Sequence, residues 1–177
     1  MLAYIFVLMA VAMRMPFVPH PWGFTPVAAA LLYFGARGAK RQMWVPVMLL
    51  AASDVILTRL VYNYPFAWDH FVTWAWYGAI LWLGTSLRKN ARPLPVVGAA
   101  LASSVSFFVI SNFAVWAAWE MYPKTLAGLM TCYLEALPFF RRGVEGDLIF
   151  TVAMFGLPVA IQAIARATER GQREAAV

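Results

Sequence analysis

The sequence is poor in charged and chemically reactive side chains. It has one cysteine, two histidines, 14 basic and 8 acidic residues among 177, so charged residues make up 12% of the chain. A single cysteine excludes a disulfide within the chain. GxGxxG, GxxxxGK, HExxH and GxSxG segments are absent, which removes the usual signatures of nucleotide-binding, zinc-protease and serine-hydrolase sites. Cys132 could bind a soft metal, but we interpret it as a small buried residue and expect no cofactor or metal.

Hydrophobic residues are abundant instead, at 63% of the chain with a mean hydropathy of +0.69. This leaves too little polar surface for a water-soluble globule and indicates an integral membrane protein. A transmembrane helix needs about 20 residues, so the chain accommodates about six. We predict an all-α compact bundle, with a single domain at 1–165 and a cytoplasmic polar tail at 166–177. The predicted helices are 2–17, 22–36, 43–60, 71–87, 94–119 and 147–165.

Basic residues predict the orientation, because loops that stay in the cytoplasm retain Lys and Arg. With the N-terminus inside, nine of the 14 basic residues lie on the inner side. These are Arg37, Lys40, Arg41, Arg88, Lys89, Arg92, Arg166, Arg170 and Arg173. We therefore expect a multi-pass protein of the bacterial cytoplasmic membrane with both termini in the cytoplasm. The net charge of +6 follows from this bias and from contact with anionic lipid, and it does not indicate nucleic-acid binding.

Polar and aromatic side chains are mixed in the segment 111–147, which we predict to be a lid or loop that contacts a ligand. Such a mixture suits a partly polar, partly aromatic small molecule. Membrane-interface or packing roles are the alternative for its aromatic residues. The candidate ligand contacts in this segment are Asn112, Trp116, Trp119, Glu120, Lys124, Tyr133, Glu135, Arg141 and Asp147.

Three polar residues fall in or beside apolar segments, and we expect them to converge in the outer half of the membrane. They are Asp54, Asn112 and Asp147. A charge at the bilayer centre costs about 2.5 to 3.5 kcal/mol on insertion scales, so Asp54 is expected to face protein or water. It either contacts a ligand or cation, or it makes a structural bond to another helix or to Arg59. Asp147 follows a glycine at a predicted helix start, where a carboxylate is a good N-cap.

Several segments resemble an uncharacterised family of small bacterial membrane proteins. They are FTPVAAA, VPVMLLAASD, SNFAVW, YPKTLAGLMTCYLEALPFF and GDLIFTVAMFG. That family is similar to the substrate-binding S components of energy-coupling factor transporters. The resemblance implies six helices, a vitamin pocket near the outer face, and docking on a module of a transmembrane coupling subunit and ATPases. It also places Asn63, Asp69 and the segment 120–142 around the pocket. The small residues of the first helix do not form the regular docking repeat of such proteins.

These observations lead to an expected function of uptake, in which the protein binds a vitamin-like micronutrient from the outer side without covalent chemistry. We expect Asp54 and Asn112 to form the pocket floor, aromatic side chains to stack on a ring, and Arg141 with Lys124 to meet an anionic group.

Two other classes of function stay open. One is a membrane-embedded enzyme acting on a lipid or isoprenoid, in which Asp54, Glu120, Glu135 and Asp147 would supply acid and base groups or hold a divalent cation. The other is an assembly subunit without a ligand, in which Asp54, Asn112 and Asp147 would be satisfied only by one another and would stabilise the fold.

Overall fold

The computed structural model describes residues 1–18 and 23–175, and within these ranges the regular structure is entirely helical. Six α-helices follow one another along the chain: α1 Leu2–Met13, α2 Val27–Arg37, α3 Trp44–Ile56, α4 Asp69–Ser86, α5 Pro93–Ala118 and α6 Leu126–Ala175. A 3₁₀ turn at Lys40–Gln42 precedes α3, and a π-helical turn at Leu57–Val61 extends it. The predicted six-helix, all-α class is confirmed. Trp22, the predicted start of the second helix, lies outside the described residues, but residues 23–26 are described and not helical, so the helix begins later than predicted.

Three of these segments are long and apolar enough to cross a membrane, namely Lys40–Val61, Pro93–Ala118 and Leu126–Glu169. The 26 residues of α5 span about 39 Å, which exceeds the roughly 30 Å of a hydrocarbon core. Large apolar side chains are exposed along α5 and α6, among them Leu101, Val105, Ile149 and Val152. Such an outer surface is suited to lipid, and the chain is a membrane protein.

The centre of the bundle is α2. Every residue from Val27 to Ala36 is buried, and Leu31, Leu32 and Phe34 are 0% exposed. Residues of α1, α4, α5 and α6 all pack against this helix. With 11 residues, α2 is only about 16 Å long, too short to cross a membrane alone. The longer helices enclose it, which agrees with the prediction that the first two helices are short.

Two glycines allow α2 and α4 to approach each other closely. A Cβ atom added to Gly35 would lie 2.2 Å from the carbonyl oxygen of Leu81, and one added to Gly84 would lie 2.5 Å from that of Leu32. Both distances are far inside van der Waals contact with backbone. Close approach at small residues is a principal source of helix association in lipid, where apolar burial supplies no driving force between helices.

The prediction of a lid or loop at 111–147 is wrong. Helix α5 continues to Ala118 and α6 begins at Leu126, so the connection is only 119–125. Four of the charged side chains that suggested a loop are exposed on α6, namely Glu135, Arg141, Arg142 and Glu145. Residues that line the interior repeat every three to four positions along the same helix, at Ala136, Phe140, Gly143 and Asp147. This spacing is the period of an α-helix. It is not visible when the polarity is averaged over all residues of the segment.

One further prediction for α6 is corrected. Asp147 lies 21 residues after Leu126 in the middle of the helix, so it is not an N-cap. Within the predicted polar tail at 166–177, α6 continues as far as Ala175, and the cytoplasmic position of this tail stays a prediction. The 50 residues of α6 correspond to about 75 Å. The helix therefore extends beyond the bundle, and every residue from 159 to 169 is exposed.

The glycine contact predicts that Gly84→Ala destabilises the protein. The added methyl group meets the backbone of α2, and overpacking of this kind costs about 1 to 3 kcal/mol. Gly98→Ala is the matched control, because nothing lies within 4 Å of a Cβ added at this position of α5. Thermal unfolding in detergent, followed by circular dichroism, is expected to show a lower midpoint for Gly84→Ala only. Equal midpoints for the two variants would contradict the close helix contact.

Candidate functional site

A cavity of about 340 Å³ lies between α4, α5, α6 and the segment that leads into α2. Its wall is largely aromatic and apolar, and its polar side chains come from separate parts of the chain. The aromatic lining residues are Trp76, Tyr77, Phe107, Phe108, Phe139 and Phe140. The polar side chains at the cavity, apart from Tyr77 and the indole of Trp76, are Arg14, Thr25, Ser104, Ser111, Asn112 and Asp147. A mostly apolar cleft with a few polar groups is the usual form of a small-molecule site.

The irregular segment before α2 borders the cavity because it can approach α6 very closely. Gly23 has a φ of +84°, and a Cβ added there would lie 3.2 Å from the carbonyl oxygen of Phe139. Both the positive φ and the short distance favour glycine at this position. The chain therefore passes over α6 at Gly23 and reaches the cavity at Thr25 before α2 begins at Val27.

The carboxylate of Asp147 is held between α6 and α5. The hydroxyl of Ser104 donates a hydrogen bond of 2.6 Å to its Oδ2. Within the part of the chain that the structure describes, Ser104 is the one hydrogen-bond partner of this carboxylate. Ser104 is the twelfth of the 26 residues of α5. Asp147 therefore lies level with the middle of α5, a helix long and apolar enough to cross a membrane.

The carboxylate of Asp54 is bound by three other side chains. Arg14 binds its Oδ1, the indole N–H of Trp74 donates to its Oδ2 over 2.9 Å, and the hydroxyl of Tyr77 donates to the same oxygen over 3.1 Å. A second N–H of Arg14 donates to Ser53 over 3.0 Å. Of the two interpretations of Asp54, the structural bond is the one observed, and the cation is Arg14 instead of Arg59. The pairing neutralises both charges where an unpaired ion would be costly.

Asn112 lines the cavity, but its amide group is also tied to its own helix. Its Nδ2 donates to the carbonyl oxygen of Phe108 over 2.8 Å. The buried thiol of Cys132 lies 3.5 Å from the backbone oxygen of Asn112. No hydrogen bond joins Asp54, Asn112 and Asp147 to one another among the described contacts, so the predicted three-way convergence does not form. Two of the three line one cavity, and Asp54 contacts its lining through Arg14 and Tyr77.

Trp116, Trp119 and Lys124 form a separate cluster at the end of α5. The ammonium of Lys124 binds the carbonyl oxygens of Trp116 and Trp119 and lies 5.7 Å from the centre of the Trp116 ring. The indole N–H of Trp119 donates to Asp69 over 3.2 Å. Lys124 therefore caps the carbonyl end of α5, where a cation is favoured. None of the three lines the cavity.

The remaining predicted contacts also lie away from the cavity. Tyr133 donates to the carbonyl oxygen of Val109 over 2.6 Å, and exposed Arg141 pairs with Glu145 over 3.1 Å. Asn63 is exposed in a left-handed turn, and Glu120 is exposed in the loop.

The carboxylate of Glu135 accepts a hydrogen bond from a residue of that loop. Tyr122 donates a hydrogen bond of 2.6 Å to the Glu135 carboxylate, which raises the pKa of Tyr122 to about 12 and keeps it protonated. Glu135 therefore joins the loop to α6.

Several residues that line the cavity were not predicted from the sequence as ligand contacts. Trp76 and Tyr77 lie within a run of aromatic residues typical of a membrane interface, yet they are only 6% and 3% exposed. Nothing in the sequence marked Ser104, which lies in an apolar helix, as a residue that lines the cavity. Arg14 did carry a signal, because the predicted orientation puts this basic residue on the outer side, from which basic residues are normally depleted. Among the described residues, no three His, Cys, Asp or Glu side chains are grouped as a metal site would require.

The ion pair at Asp54 predicts a large effect of Arg14→Gln. This change leaves the buried carboxylate without a cation, which typically costs about 3 to 5 kcal/mol. Arg141→Gln is the control, because an exposed pair is worth at most about 1 kcal/mol. Unfolding free energies in detergent are expected to fall sharply for Arg14→Gln only, and to recover partly when Asp54→Asn is added. Equal effects of the two single changes would show that the buried pair is not structural.

Comparison with known proteins places the chain in a family. It matches over residues 1–168 the model described as a family of unknown function (DUF6580). No curated protein and no solved structure matches it. Since the family model covers nearly the whole chain, cavity included, the protein belongs to the family of unknown function DUF6580.

Proposed function

We propose that this protein binds a small micronutrient in the cavity and takes part in its uptake across the bacterial cytoplasmic membrane, as an S component of the energy-coupling factor type or a similar protein. The observation that carries the proposal is a cavity of about 340 Å³ with aromatic walls and two charged side chains, Arg14 and Asp147. Small-molecule sites span about 300 to 1,000 Å³. This volume is at the lower end of that range and suits a ligand of one or two rings.

The distribution of carboxylates supports binding without covalent chemistry. Asp54 is already engaged by Arg14, Trp74 and Tyr77. Asp147 is the one described carboxylate that lines the cavity. Acid–base catalysis or cation binding by paired carboxylates would need a second such group there. ATP hydrolysis would then be supplied by partner subunits of an energising module.

Contacts between loops support the proposed orientation. Arg88, which follows α4, donates to the carbonyl oxygen of Gly38, which follows α2, over 2.9 Å. The two basic loops therefore lie at one end of the bundle, as expected for the cytoplasmic side. Trp119 binds Asp69, so the loop after α5 lies beside the start of α4. We propose that this second end faces outward and that both termini are cytoplasmic.

Native mass spectrometry of the detergent-purified protein tests the binding proposal. We expect one small molecule per chain, either co-purified or taken up from a panel of water-soluble vitamins. Ala136→Leu is expected to abolish binding, because Ala136 lines the cavity. Ala127→Leu is the control, because Ala127 is exposed on the same helix.

A ligand-free mass for the unaltered protein after incubation with the panel would contradict the proposal. The enzyme and assembly-subunit alternatives would then be tested by measuring lipid turnover and by isolating native complexes.

Cysteine labelling tests the orientation. In a Cys132→Ala background, Met121→Cys and Lys89→Cys place single thiols at exposed positions in opposite loops. A membrane-impermeant maleimide is expected to label Met121→Cys in intact cells, and Lys89→Cys only after the membrane is opened. The reverse pattern would overturn the proposed topology.

A further inference from the structure

We infer that the cavity selects a ligand with a positively charged nitrogen, which binds Asp147 while its ring packs against Phe108 and Phe140. This inference rests on the proposed function, because it takes the cavity to be the binding site. It concerns the chemical class of the ligand, which the uptake proposal leaves open.

The first step is the charge balance of the cavity. Arg14 is paired with Asp54, which lies behind the lining, so the pair contributes no net charge. Asp147 has only the neutral hydroxyl of Ser104 as its partner among the described residues. No described Lys or Arg other than Arg14 lines the cavity. An ionised Asp147 therefore leaves one negative charge uncompensated.

The second step is the cost of that charge at its depth in the bundle. Asp147 faces Ser104 near the middle of α5, a segment long and apolar enough to cross the membrane. An uncompensated carboxylate in apolar surroundings is strongly disfavoured, and a bound cation with hydrogen-bond donors removes that penalty. An anionic ligand would instead add a second negative charge, since the charge of Arg14 is already used by Asp54.

The third step is the aromatic wall beside the carboxylate. Phe108 lies one helical turn after Ser104 on α5, and Phe140 lies two turns before Asp147 on α6. Their ring centres are 4.5 Å apart, and both line the cavity. Aromatic faces attract cations through their quadrupole and also pack on flat rings. The wall and the carboxylate therefore favour the same class, a ring compound with an amine, amidine or cationic heterocycle.

Arg14 supplies a secondary contact. A guanidinium has five N–H donors, and the described bonds use two of its nitrogen atoms, on Ser53 and Asp54. Its remaining N–H groups suit a neutral acceptor on the ligand, such as a hydroxyl or carbonyl oxygen.

Three probes with the same ring and the same two-carbon chain, but with head groups of different charge, test the inference on the intact protein in detergent. They are 2-(1-naphthyl)ethylamine, 2-(1-naphthyl)ethanol and 3-(1-naphthyl)propionate, and their affinities are measured by calorimetry against a protein-free micelle blank. The amine is expected to bind about tenfold or more tighter than the alcohol, and the propionate weakest, because a hydrogen bond to a charged partner is markedly stronger than a neutral one.

Two variants locate the effect. Asp147→Asn is expected to reduce the affinity for the amine about tenfold and to leave that for the alcohol nearly unchanged. Glu145→Gln removes the same charge two residues away on the exposed face of α6 and is expected to change neither affinity. Ala136→Leu is expected to prevent binding of all three probes. If Asp147→Asn does not fold, the order of the three probes on the unaltered protein still decides the question.

The outcomes separate the inference from the proposed function. Tighter binding of the alcohol or propionate than of the amine, lost in Ala136→Leu, would overturn the inference and leave the uptake proposal intact. Amine binding that Ala136→Leu does not affect would place the probe outside the cavity and would also overturn the inference. Failure of all three probes, together with a ligand-free mass after the vitamin panel, would overturn both.

Discussion

The ion pair between Arg14 and Asp54 is the interaction on which the arrangement around the cavity depends. Arg14 follows α1, Asp54 is on α3, and Trp74 and Tyr77 on α4 donate to the same carboxylate. In apolar surroundings each charge needs the other, so the pair holds three parts of the chain in one arrangement. Arg14 and Tyr77 also line the cavity. The contact that stabilises the bundle thus positions one wall of the candidate site.

The short central helix determines where the cavity is. Because α2 begins at Val27, the chain borders the cavity as irregular backbone at Gly23 and Thr25. This irregular backbone packs closely against α6 at Gly23, and surrounding protein of this kind is what non-helical backbone within a membrane requires. At its other end α2 packs on α4 through Gly35 and Gly84. The bundle is tight at the glycines and open beside α5 and α6, which leaves room for a ligand.

The composition of the polar segment 111–147 led to a wrong prediction of its structure. Its charges and aromatic residues suggested a loop, whereas all of it except 119–125 belongs to α5 and α6. Exposed ions such as Arg141 and Glu145 lie on one face of α6 and lower its average hydropathy, while the cavity face keeps a helical period. Two of the eleven predicted ligand contacts, Asn112 and Asp147, line the cavity. Lys124 and the two tryptophans beside it close the end of α5 instead.

The sequence by itself determined the membrane class, the number of helices and the short first pair, because composition and apolar run length are local properties. It also identified Asp54 and Asp147 as unusual, since a carboxylate in an apolar segment needs a partner. Only the tertiary structure decided that Asp54 is compensated and that Asp147 faces a cavity with one neutral partner. The physical reason is distance along the chain: Arg14 is 40 residues from Asp54, Trp74 is 20 residues from it, and Ser104 is 43 residues from Asp147. No periodicity within one helix encodes which side chains the other helices bring to it.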